Sequence, residues 1–97
     1  MFVGSLECDV LLGDVRSLKQ KRGVVRPVLA ELRRLDVSAA EVGHQDLHRR
    51  ALIGVAVVAG DAAHVIDVLD QAERLVASRP ELELLSTRRR LHDPDDD

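Results

Sequence analysis

"ALIGVAVVAG", residues 51–60, is the stretch on which the fold turns. It is apolar at both parities. A strand with one wet face alternates apolar and polar residues, whereas a run like this suits a central strand covered on one side by helices. Asp61 follows and reads as a helix N-cap. After it, "AAHVIDVLDQAERLVAS" (62–78) places Val65, Ile66, Leu69, Ala72, Leu75 and Val76 at helical spacing. Pro80 marks the exit, and "ELELLSTRRRL" (81–91) reads as a last strand with a polar end.

Upstream, "VSAAEVG" (37–43) is a short strand rich in small residues. Before it, Ser17 looks like an N-cap, because Gln20 follows three residues later as in a capping box. Leu18, Val25, Val28, Leu29, Leu32 and Leu35 then trace one helical face. Pro27 removes the bond to the Gly23 carbonyl, so one helix with a kink or loosened turn near 23–27 is expected. "FVGSLECDVLL" (2–12) alternates, with Phe2, Leu6, Cys8, Val10 and Leu12 on one parity and Ser5, Glu7 and Asp9 on the other. Cys8 falls on the apolar parity and reads as a small core residue.

The order βαββαβ is the ferredoxin-like pattern, an α+β fold. It implies a four-stranded antiparallel sheet with two helices on one face. Residues 1–92 make the single domain, and 93–97 an acidic tail expected to be disordered. The last strand should lie beside the first, where Arg88 or Arg90 is expected to pair with Glu7 and Asp9.

Composition narrows the chemistry. Of 97 residues, 45% are apolar, but Phe2 is the only aromatic, so no surface ring is on offer for stacking bases. The net charge of −3 hides an asymmetry: residues 1–92 hold all 14 bases and 13 of the 17 acids. Residues 16–34 hold seven bases and one acid, Glu31. A single cysteine excludes an internal disulfide and fits a reducing compartment. No apolar run approaches the ~20 residues of a membrane span, and the start lacks a signal-peptide pattern. A cytoplasmic protein without membrane contact is expected.

Strand and helix directions bring the Gly13–Arg22 and His44–Arg50 segments to one edge of the domain. That edge gathers Arg16, Lys19, Lys21, Arg22, Arg49 and Arg50 as candidate phosphate contacts. Ser17, Gly43, His44, Gln45 and Asp46 are candidate loop-organising residues. Arg79 is expected at the same edge. The two histidines of "GHQDLH" (43–48) sit in a turn without a completing ligand set, so no metal site is expected. His44 and Asp46 lack a convincing nucleophile, so no catalytic residue is assigned. No cofactor is expected.

At "SLKQKR" (17–22) and "AEVGHQDLHRRALIGVAVV" (39–58) the chain resembles the YlxP-like bacterial proteins, the domain of unknown function 503 family. The resemblance runs from the opening strand through "DAAHVIDVLDQAERLV". It implies a ferredoxin-like fold and points to Ser17, Leu18, Lys19, Lys21, Arg22, Gly43, His44, Gln45 and Asp46. It implies an association with translation rather than a mechanism. The expected function is a small non-enzymatic accessory factor that contacts ribosomal RNA or a ribosomal subunit through the basic edge. The alternatives are a protein-interaction or homo-oligomeric self-assembly module and a phosphate-ester enzyme using the same edge.

Overall fold

The computed structural model describes residues 1–93 and 95. The elements run β1 (Phe2–Leu12), α1 (Leu18–Arg33), β2 (Ser38–Gly43), β3 (Arg50–Ala59), α2 (Ala62–Ala77) and β4 (Leu82–His92). The strands form one sheet in the order β2-β3-β1-β4, and every neighbouring pair is antiparallel. The fold is therefore ferredoxin-like, and β3 is central beside β1, with one parity buried and the other on the open sheet face. The acidic tail expected over 93–97 lies outside the described residues at 94, 96 and 97.

One parity of the central strands makes the core. Leu6, Cys8, Val10 and Leu12 of β1 and Ala51, Ile53, Val55 and Val57 of β3 are buried under Val25, Val28 and Leu32 of α1 and Val65, Leu69, Ala72 and Val76 of α2. The one aromatic ring, Phe2, packs against this core. At Gly4 a methyl group would collide with Val65 and Leu69, so α2 lies directly on β1 there. Burial, with the negative charge of Glu73 second, pushes the Cys8 thiol up to about 12. It stays protonated at neutral pH and serves as packing.

Both helices start on the caps read from the sequence. The Ser17 hydroxyl accepts from the Gln20 amide, and the Asp61 carboxylate accepts from the Ala63 amide. The Gln20 side chain reaches back one residue further than in the standard box, accepting from the Arg16 amide at 2.7 Å. α1 runs unbroken through Pro27. Pro27 and Gly23 both lie on its exposed side, where water can solvate the carbonyl that loses its partner.

The register sets Arg88 opposite Glu7 as expected, but the expected ion pairs with Glu7 and Asp9 are corrected. Asp9 lies opposite Ser86, with a bulge between Asp9 and Val10. Asp9 takes its guanidinium from β3 instead, from Arg50, and no ion pair joins Glu7 to Arg88 among the described residues. Arg89 faces the other way and bonds Asp70 at 2.7 Å and Glu73 at 3.1 Å, tying β4 to α2.

Edge strands expose unpaired backbone groups that invite another strand. On β2, Arg33 Nη2 donates to the Ala39 carbonyl at 2.8 Å and Gln45 Nε2 to the Glu41 carbonyl at 3.3 Å. Carbonyls two residues apart in a strand point the same way, so two side chains occupy one row of acceptors. The β4 edge carries Arg88 and Arg90, whose charges repel a second copy. Among the described residues no helix is long and apolar enough to cross a membrane.

Candidate nucleic-acid interface

Hydrogen bonds join the two segments that topology brings to one edge. Lys21 is 2% exposed, and its ammonium has three donors to satisfy. It donates to the His44 carbonyl at 2.7 Å and the Leu47 carbonyl at 2.8 Å, and it ion-pairs with Glu41 at 2.6 Å. The Leu47 amide closes a turn onto the same His44 carbonyl at 3.0 Å. A second tie runs beside it: Arg49 Nε donates to the carbonyls of Leu12 and Gly13, and the Leu12 amide donates to the Arg49 carbonyl.

The turn bends at His44, whose φ is 58°. Gly43 does not supply the left-handed residue. It leaves room for Leu52, whose Cδ2 would lie 2.9 Å from an added Cβ. The bend brings His44 Nε2 to 3.5 Å from Asp9 Oδ2. Arg50 grips the same carboxylate with Nε and Nη2 at 2.7–3.1 Å. The Arg50 bonds, with smaller help from His44, hold the Asp9 carboxyl below the usual carboxylate range. Asp46 stands exposed in the turn.

These contacts divide the expected phosphate-binding set. Lys21 and Arg50 spend their charges on Glu41 and Asp9. Arg16 sits at 3.4 Å from Asp14, with both side chains exposed. Arg79 is ion-paired with Glu31 and Glu81. Lys19 and Arg22 are exposed and have no acidic partner among the described residues, and the same holds for Arg26. Arg26 was absent from the expected set. Its signal is its four-residue step from Arg22, which puts both on one helical stripe. The burial of Lys21 also had a signal: it falls in the gap of the apolar stripe between Leu18 and Val25.

The family model described as "Protein of unknown function (DUF503)" matches residues 3–89. The chain belongs to this family. It is also similar to the "Uncharacterized protein YlxP" of Bacillus subtilis (strain 168), at 32% identity over 87 residues, 89% of this chain and 95% of that protein. In this DUF503 chain the basic block 17–22 is two things at once. Its inward residue builds the loops, and its outward residues stay free.

Two predictions separate these roles. Replacing Lys21 with Met strands the Glu41 carboxylate and two carbonyls, and should cost about 3–5 kcal/mol in urea unfolding. Adding Glu41→Gln should restore part of that, while Arg22→Ala should stay within about 0.5 kcal/mol of wild type. Equal losses for Lys21→Met and Arg22→Ala would remove the distinction. For Asp9, a folded-state pKa below the unfolded one means that its contribution is present at neutral pH. It is lost as the pH falls below about 4 and through the folded value. The stability gap between wild type and Asp9→Asn should therefore close on acidification, and a pH-independent gap would contradict this assignment.

Proposed function

We propose that this protein is a small non-enzymatic cytoplasmic accessory factor that contacts RNA, on the ribosome or its subunits, through the outer face of α1. The observation that carries this reading is the free cation stripe. Lys19, Arg22 and Arg26 stand at i, i+3 and i+7 on one helix, exposed and without acidic partners among the described residues. Arg16 and Arg49 extend the charge toward the loops. Phosphate contacts position a protein without demanding aromatic rings, which suits a chain with no Trp or Tyr.

Three phosphate contacts give a log–log salt slope of about −2 to −3, a loss of roughly 20–40-fold in affinity between 50 and 200 mM monovalent salt. Wild type should travel with a ribosomal subunit in a low-salt sucrose gradient, and a Lys19→Ala/Arg22→Ala/Arg26→Ala variant should stay at the top. Lys21 is left intact because its loss would unfold the loops. Co-sedimentation that ignores both salt and these substitutions would sink the reading.

A second reading, self-assembly with a second copy, is favoured by a different observation. Val42 and Val58 are 53% and 63% exposed on the open sheet face. They flank a flat strip made by Ala40, Gly54 and Ala56, with a shallow groove along it. With both strand edges guarded, this face is where a second sheet would stack. Val58→Lys should then convert a dimer to a monomer in light scattering at tens of micromolar, and a wild-type monomer at that concentration would dispose of it.

A further inference from the structure

The exposed face of α1 carries two residues that a helix does not want. Gly23 and Pro27 are the poorest helix formers available. Neither is needed for packing: both are exposed, and an added Cβ at Gly23 would meet nothing within 4 Å. Gly23 has no positive φ, so the backbone does not require glycine there either. The two stand four residues apart and so form a row along the helix, continued by exposed Ala30. The adjacent row is Arg22–Arg26, and Lys19 closes one end. Lys19, Arg22, Gly23, Arg26 and Pro27 together line one shallow concavity. This is a notch without long side chains, flanked by a rail of free cations.

We infer that this notch receives the sugar–phosphate ridge of a base-paired RNA stem, an inference that rests on the RNA reading above. The four-residue step between the two arginines is ~6 Å along the axis, of the order of the spacing between neighbouring phosphates on a strand. The bare row lets a backbone approach the helix closely while the rail meets its phosphates from one side. Paired RNA arrives already ordered, so a rigid rail can engage it without the entropic cost of straightening it. A single strand would have to be ordered, and stacking on aromatic rings is what normally offsets that. Here there is no Trp or Tyr, and the one Phe, Phe2, packs against the core. The other platform for a single strand, the open sheet face, has Glu7 and the Arg50-bound Asp9 at its centre and Arg88 and Arg90 on β4, so a variant at those two arginines serves as the control.

The test compares a 16-base-pair RNA duplex with one of its strands alone by fluorescence anisotropy. The proteins are wild type, Gly23→Gln and Arg88→Ala/Arg90→Ala. The duplex should bind wild type at least tenfold tighter than the strand. Gly23→Gln should weaken duplex binding at least fivefold while its urea midpoint holds or rises, because the substitution fills the notch and favours the helix. The sheet-face variant should bind the duplex like wild type. Tighter binding of the single strand, or an unaffected Gly23→Gln, would overturn the inference and leave the RNA reading standing. A DNA duplex that binds as tightly would keep the paired-backbone notch and remove RNA from the reading. No binding to any nucleic acid at low salt would end both.

Discussion

The buried ammonium of Lys21 is the contact on which the loop edge of this fold depends. It leaves α1 inward and is met by one carboxylate and two carbonyls from the β2–β3 connection. A charge taken out of water must find this many partners, or its desolvation outweighs any gain. The carbonyls it needs belong to His44 and Leu47, so the turn between them has one arrangement that satisfies the lysine. That arrangement puts His44 in the left-handed region and aims its ring at Asp9. A single side chain thus sets the loop, and the loop sets the contacts of the sheet's polar end.

The same economy explains why the edge is less basic than its composition. Five cations facing inward or toward the sheet meet acids or carbonyls: Lys21, Arg33, Arg49, Arg50 and Arg79. Lys19, Arg22 and Arg26, on the outer side of α1, have no acidic partner among the described residues. Paired charges at a surface contribute little to stability and less to recognition, since their fields cancel at short range. What a phosphate would sense at this edge is the remainder on α1. The stripe gains its character by subtraction, and counting bases along the chain overstates it at some positions and omits Arg26.

Much of the architecture was legible because burial imposes a period. β1 alternates, β3 does not, and the two helices repeat their apolar positions every three or four residues; each pattern leads to its place in the sheet. Capping was legible for the same local reason at Ser17 and Asp61. The charge pairing was not. Asp9 has neighbours on both sides, and β4 sets the uncharged Ser86 opposite it, so the partner comes from β3. The register includes a bulge, which has no compositional mark in this strand. The role of Gly43 was not legible for a related reason: it makes room for Leu52 across the strand pair, and that contact is not local in sequence.

The residues that fit the fold worst are then the informative ones. Sequences that fold well agree with themselves at every level, and local conflicts concentrate where something other than stability is being served. In α1 the core face is regular, the cap is sound, and the buried lysine is fully partnered. The conflict is confined to Gly23 and Pro27, on the face that touches no other element. Packing gives no reason for either. Their row runs beside three cations that internal pairing leaves over, and two independent oddities on one stripe of one helix argue for a ligand more strongly than either the charge or the missing side chains would alone.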